Sequence, residues 1–465
     1  MEIEQIDWRS PLAAFAPLAG RAHAHLLHAG EEAAAPGWSI LVACPSRVLT
    51  ARAGRARLDG AAIAVPPFEA LRKLHVEQRR KWDGARCKGA NLDGRFMSGL
   101  VGFVGYEMGA AFEPSAAGPP SPFALPDMIF AAYDAAVLFD RTQRRAFLCA
   151  RNQAAAEALK EALAEKCTSA PVAAPRFNAL RSNFDAARYQ AAVSDTIERI
   201  REGAIFQANL SQQLTLSTDN PVCAFNLFCR LMRESDAVHG ALLQYKDGSI
   251  VSNSPERFFR IEPAAGAWRI VAEPIKGTCA RGNDAESDAA LAAALAADPK
   301  ERAENIMIAD LTRNDLSRIC ANGSVREEAI CQVLSLSRVH HLVSRLSGVL
   351  DDGVDFIDAL AALFPCGSVT GAPKVEAMKT IAEIEGVGRG PYCGAIGYID
   401  DAGAADFSVA IRIMVIEKAG AGSRVVCPVG GGVTLRSGPF AEYEETRLKA
   451  QSILRALGAE EESRP

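Results

Sequence analysis

The chain has 465 residues, 49% of them hydrophobic and 23% charged, with a formal net charge of −5. That length suits one large or two medium domains with an ordinary globular balance, and the acidic surplus argues against a nucleic-acid partner. No run of about 18 apolar residues occurs, so no membrane span is expected; the opening MEIEQIDWRS lacks the basic-then-apolar pattern of a secretion signal, which makes the cytoplasm the expected compartment.

Residues 39–43, 63–65 and 131–138 read as strands, and the glycine-punctuated apolar stretch 99–105 reads as a strand with close backbone approach. An amphipathic helix is expected over 154–166, followed by the linker-like SAPVAAP at 169–175. Tyr189, Val193, Ile197 and Ile200 recur at helical spacing within 185–203, with Gly203 as a C-cap. Further strands are expected at 248–251, 268–272, 393–399, 408–415 and 424–429. Helices are expected at 288–296, 299–310, 355–363, 374–383 and 440–457. The order gives no regular βαβ alternation, which favours an α+β fold built on antiparallel sheets. The 12 cysteines are scattered without a CxxC pair and read as reduced, mostly buried small residues.

Several segments carry chemistry. Asp298 reads as an N-cap, Pro299 as the first helical residue and Glu301 as the closing member of a capping box. Glu304 follows Glu301 by three, and Glu442 and Glu445 repeat that spacing on the last helix. Two helices that each present a Glu pair suit a hard cation such as Mg²⁺, which prefers oxygen ligands; taken alone, the spacing reads more commonly as first-turn glutamates on a solvated face. Lys276, between Ile275 and Gly277, is either a surface lysine in a turn or an amine at a strand end facing a cleft. Gly367–Lys374 and Gly430-Gly431-Gly432 are either ordinary turns or sets of backbone N–H groups facing an anion. No GxxxxGK[ST] or GxGxxG occurs, so nucleotide binding has no support.

Taken together, SNSPERF (252–258), EPIKGT (273–278), ERAENIMIADLTRNDLSRI (301–319), HLVSRLSG (341–348), FPCGSVTGAPKVEAM (364–378), YCGAIGY (392–398), AIRIMV (410–415) and GGGVTLRSGPFAEYEETRLKA (430–450) closely resemble the chorismate-utilising enzymes. The first 150 residues resemble the amino-transferring members more weakly, through HLLHAG (25–30) and GLVGFVGYEMG (99–109). The resemblance implies an α+β fold in which two large antiparallel β-sheets pack as a sandwich with helices outside. It divides the chain into an N-terminal region, 1–168, and a chorismate-binding catalytic region, 185–457. Both are expected to contribute to one globule.

Within that family, Lys276 and the PIKGT around it resemble the members that aminate chorismate at C4, the aminodeoxychorismate synthases; members acting at C2 usually carry Ala there. Gln207 occupies the position of the water-activating lysine of the isochorismate-forming members, and a neutral amide cannot deprotonate water. The resemblance implies Lys276 as nucleophile, Glu256 as general acid, and Mg²⁺ held by Glu301, Glu304, Glu442 and Glu445. It implies Arg412 and Tyr392, with the Gly430, Gly431 and Gly432 amides, on the enolpyruvyl carboxylate, and Thr278, His341 and Thr370 around the ring. Tyr392 also reads as a core aromatic, and His341 as a satisfied core histidine beside an exposed His340. Arg412, on an expected buried strand, calls for an anionic partner.

Two departures are visible. Gly438 stands where many relatives have Asp, and LLHAG lacks the Glu-Ser of the tryptophan-inhibited enzymes. The chain has no Gly-x-Cys-x-Gly nucleophile elbow, so ammonia is expected from solution or from a separate glutamine amidotransferase subunit. Anthranilate synthase component I and a catalytically silent binding subunit are the rival expectations.

Overall fold

The computed structural model describes residues 1–30, 37–81, 92, 95–165, 175–235, 238–336 and 338–459. The expected linker at 169–175 lies outside them except for Pro175.

Two antiparallel sheets of 12 strands each form the molecule's frame. The first runs Glu2–Ile6, Arg145–Ala150, Ala135–Asp140, Trp38–Val42, His25–His28, His239–Gln244, Gly248–Ser254, Ile413–Ala419, Gly422–Val433, Gln207–Thr218 and Arg181–Ser182, with Gly371–Ala372 paired to the start of Gln207–Thr218. The second runs Ile275–Ala280, Val339–Val349, Ala267–Glu273, Arg257–Ala264, Ala405–Val409, Ala395–Asp400, Gly99–Val104, Met128–Tyr133, Arg47–Arg52, Arg55–Leu58 and Ala61–Ile63, with Arg326–Ser335 paired to Val339–Val349. The α+β sandwich expected from the sequence is the observed architecture. Strands from 1–168 and from 185–457 share both sheets. His25–His28 pairs with His239–Gln244 in the first sheet, and Gly99–Val104 pairs with Ala395–Asp400 in the second.

The largest apolar cluster joins the two sheets. Leu243 and Ile250 of the first meet Phe103, Phe130, Phe259 and Phe407 of the second. A separate cluster seals the outer face of the first sheet beneath Ala224–Glu234, Pro439–Leu457 and Gln153–Ala164 through Leu227, Phe228, Leu231, Ile453 and Leu159. Burying apolar surface at roughly 25 cal/mol per Å² is what holds such layers together. Among the described residues no helix is long and apolar enough to cross a membrane. No disulfide links the ten described cysteines.

Several expected elements change on inspection. The run 131–138 is two strands, Met128–Tyr133 and Ala135–Asp140, one in each sheet. The run 408–415 is also split, into Ala405–Val409 and Ile413–Ala419, by a break at Arg412 with φ 54°. Lys276 lies on a strand, Ile275–Ala280, rather than in a turn. The triple glycine lies inside Gly422–Val433, paired residue for residue with Asn209, Leu210 and Ser211, rather than in a turn after it. His340 is buried at 1% exposure and its Nε2 meets Asp288 at 3.0 Å, so it is not the exposed neighbour expected.

Candidate active site

A cavity of about 600 Å³ opens where the helix Pro299–Ser317, the helix Pro439–Leu457 and the edge strand Ile275–Ala280 converge on the glycine strand. Asp298 caps the first helix, its carboxylate accepting from the N–H groups of Lys300 (2.8 Å) and Glu301 (3.0 Å). No reciprocal bond from Glu301 closes the expected capping box. Its carboxylate turns instead towards Gly277, where a Cβ would stand 3.0 Å from Oε2.

Of the residues singled out in the sequence, Glu256, Lys276, Thr278, Glu301, Glu304, His341, Tyr392, Arg412, Gly430, Gly432 and Glu445 all line this cavity. Thr370, Gly431 and Glu442 do not line it, although each sits directly behind the lining. The Thr370 hydroxyl donates to the Cys366 carbonyl (2.9 Å), and its own carbonyl accepts from the Asn209 N–H (2.8 Å), which ties the 367–370 turn to the strand. A Cβ on Gly431 would stand 3.1 Å from Glu442 Oε2.

Lys276 and Gln207 converge on Gly432. A Cβ there would be 2.9 Å from Lys276 Nζ and 2.9 Å from Gln207 Nε2. The absence of a side chain at Gly432 therefore makes room for the amine. Gln207 is fully buried, and among the described residues neither its amide nitrogen nor its amide oxygen has a hydrogen-bond partner.

In the same cavity, Glu256 is 2% exposed. Burial pushes its carboxyl up to about 7, although a hydrogen bond from Ser368, the Ile275 N–H and the Lys276 charge oppose the rise. A carboxyl tuned to that range can hold and release a proton near neutrality.

The other wall is cationic. Arg412 is driven by burial below its ordinary value, and its guanidinium donates to the Lys449 carbonyl at 3.0 Å. Among the described residues no carboxylate lies within ion-pairing distance of it, so a desolvated cation faces the cavity ready for an anion. His341 is held down to about 4, first by burial and then by the Arg412 charge, and its Nδ1 shares a 2.8 Å hydrogen bond with Thr278 Oγ1. The imidazole is neutral at physiological pH.

Sequence reasoning missed several members. Lys449 is half-buried, pairs with Glu445 (2.5 Å) and also donates to the Gly430 carbonyl (3.1 Å). Asn209 lines the cavity with a buried Nδ2 that has no hydrogen-bond partner among the described residues. Ser368 bonds Glu256, and Lys300 lines the cavity mouth. Lys449 follows Glu445 by four on one helix face, a spacing that was available as a signal.

The glutamates offer an all-oxygen donor set. Burial raises Glu301, Glu304 and Glu442 above their ordinary values. Burial also works against the charged form of Glu445, but the Lys449 pair outweighs it and holds that carboxyl low. Among the described residues Glu304 Oε1 and Glu442 Oε2 are buried without a hydrogen-bond partner, and the former has Lys300 Nζ at 3.9 Å. Among the described residues no three His, Cys, Asp or Glu side chains already converge at coordinating distance. Two orphaned carboxylate oxygens on two helices nevertheless fit the oxygen donor set that a hard divalent cation prefers.

The chain matches the family model described as chorismate binding enzyme over residues 31–455. It is 35% identical over 460 residues to aminodeoxychorismate synthase component 1 of Salmonella typhimurium, covering 97% of each chain. The chain belongs to the chorismate-binding enzyme family. It is also 34% identical over 485 residues to anthranilate synthase component 1 of Mycobacterium bovis, covering 98% of this chain and 92% of that one. Among solved structures it resembles anthranilate synthase component I of Streptococcus pneumoniae, with a TM-score of 0.76 at 29% identity over 90% of this chain and 92% of that one. The two named activities are matched almost equally in overall identity, so the distinction between them within the chorismate-binding family rests on the residues of the cavity.

Proposed function

We propose that the chain is aminodeoxychorismate synthase component 1, which converts chorismate and ammonia to 4-amino-4-deoxychorismate on the route to 4-aminobenzoate and folate. The observation that carries this reading is an amine, Lys276 Nζ, sharing one cavity with a buried carboxyl of near-neutral pKa. Relatives bearing that name match nearly the whole chain.

The chemistry follows from this placement. Chorismate is a dianion, and Arg412 with Tyr392 suits its enolpyruvyl carboxylate. The remaining carboxylate meets a wall of glutamates, which repels it unless a cation intervenes. Mg²⁺ on Glu301, Glu304, Glu442 and Glu445 would supply that positive charge and Lewis acidity. Lys276 attacks C2 while the ring double bond shifts and the C4–O bond breaks. Glu256 transfers its proton to the departing oxygen, which leaves as water. Ammonia then forms the C4–N bond, the double bond shifts back, and the Lys276–C2 bond breaks, returning the amine. A covalent intermediate divides one difficult substitution into two easier ones. Gln207 places a neutral amide near C2, which leaves water without a base there. Ammonia is supplied by a separate glutamine amidotransferase subunit, in keeping with the component 1 naming of the relatives.

The test is product identity. Purified chain, chorismate, Mg²⁺ and ammonium salt, followed by an aminodeoxychorismate lyase, are expected to give 4-aminobenzoate by mass spectrometry. Lys276→Ala is expected to abolish that product or divert it to anthranilate. Anthranilate from the unaltered chain would make it an anthranilate synthase.

A further inference from the structure

Ser368 sits in the short turn Gly367–Val369 and carries no obvious chemistry in the sequence. In the fold its hydroxyl donates to Glu256 Oε1 at 2.7 Å. The Ile275 N–H reaches the same oxygen at 3.4 Å, and Cys366 Sγ stands 4.0 Å from it. Among the described residues no hydrogen bond is made to Glu256 Oε2. Both partners are shielded from water, Ser368 at 3% exposure and Glu256 at 2%, and both line the cavity.

An oxygen already accepting from an O–H and an N–H cannot also carry a proton without setting hydrogens against one another. The neutral acid therefore keeps its proton on the other oxygen. We propose that Ser368 is the positioning residue of the proton transfer: it holds Glu256 Oε1 as an acceptor and leaves the transferable proton on Oε2, facing the substrate. This rests on the reading of Glu256 as the general acid. In the transfer the Oε2–H bond breaks, the proton joins the C4 oxygen as the C4–O bond breaks, and Glu256 is left as a carboxylate. The Ser368 hydroxyl already faces the charge that develops, with no reorientation needed.

The charged and titratable groups facing Glu256 are few. Lys276 favours its charged form, while Cys366 and Cys393, pushed up to about 12 by burial, stay neutral thiols. Ser368 also favours the charged form, so its removal weakens the acid. The sign follows directly. The acid must begin protonated, so kcat falls as pH rises through its pKa, and losing the serine donor moves that fall to higher pH.

The experiment is kcat against pH at fixed free ammonia for the unaltered chain and for Ser368→Ala, Ser368→Thr and Glu256→Gln. Ser368→Ala is expected to shift the alkaline limb up by about one pH unit and to lower the plateau on the order of 10-fold. Ser368→Thr, which keeps the hydroxyl, is expected to restore both. Glu256→Gln is expected to lose about 10² or more and to leave a residual rate that is flat through the limb. If Glu256→Gln flattens the limb but Ser368→Ala does not move it, the serine proposal fails and the acid assignment stands. If Glu256→Gln keeps the limb, the acid assignment itself falls and takes the proposal with it. A Ser368→Thr profile matching that of Ser368→Ala would also overturn the proposal, because the hydroxyl would then not be the active feature.

Discussion

Gly432 shows how little space the site leaves around its amine. A methyl group there would meet Lys276 Nζ and Gln207 Nε2 at 2.9 Å each, closer than real Cβ contacts allow. Both neighbours are ends of side chains, so Gly432→Ala is expected to fold while displacing the nucleophile. A misplacement of about 1 Å costs on the order of 10² in rate, so kcat is expected to fall by that factor with the melting temperature nearly unchanged. Glu304→Gln probes the acidic wall. It replaces a carboxylate whose Oε1 is buried, with Lys300 at 3.9 Å as its ion-pair contact, by a neutral amide, and Mg²⁺ affinity measured by calorimetry is expected to fall by about 10-fold or more. Unchanged Mg²⁺ affinity would remove Glu304 from the ligand set. At this scale much of the site was legible, because Glu256, Lys276 and the paired glutamates each stand in a distinctive segment. Asn209 and Ser368 were not, because each is an unremarkable residue type whose role comes from neighbours far away in sequence, whereas Lys449 was signalled only by its four-residue spacing to Glu445.

At the scale of elements, the cavity wall hangs on Arg389, which is 1% exposed. Its guanidinium bonds Glu385 at 2.5 and 3.0 Å, the Val369 carbonyl at 3.0 Å and the Asn209 carbonyl at 2.5 Å, and it stacks on Tyr106. Glu385 in turn accepts from the N–H and the hydroxyl of Ser211. One ion pair thus joins the helix Lys374–Glu385, the turn Gly367–Val369 and the strand Gln207–Thr218. Arg389→Met leaves Glu385 buried without its cation and is expected to destabilise the protein by about 3–5 kcal/mol in denaturant titration. The helices were largely readable from periodicity and capping residues. The strands were less so, for identifiable reasons. The 131–138 and 408–415 runs are apolar throughout, and nothing in an apolar run marks where the chain leaves one sheet for the other. A left-handed residue such as Arg412 at φ 54° is invisible to composition. Ile275–Ala280 is framed by Pro274 and carries Gly277, so it reads as a turn, although Thr278 to Ala280 pair with Val339–Val349.

For the whole molecule, both sheets depend on strands from the first 168 residues. Without them His239–Gln244 loses His25–His28 and Ala395–Asp400 loses Gly99–Val104, which exposes two rows of unpaired backbone groups. Residues 185–457 expressed alone are therefore expected to be insoluble or aggregated by light scattering. A soluble, chorismate-binding fragment would contradict the shared-sheet account. The lack of βαβ alternation pointed to antiparallel sheets and the family resemblance implied the sandwich, but neither told which strands neighbour one another, because pairing across more than 200 residues leaves no local trace in the chain.

The interleaved sheets also bear on how such a gene can change. A crossover near codon 170 would join front and back halves whose strands have never been matched edge to edge, and every His28-to-Gly240 or Val101-to-Tyr398 pairing would have to be compatible by chance. The two halves are thus bound to vary together, and new behaviour in this scaffold is to be sought in compensated substitutions spread across both halves rather than in exchange of a module.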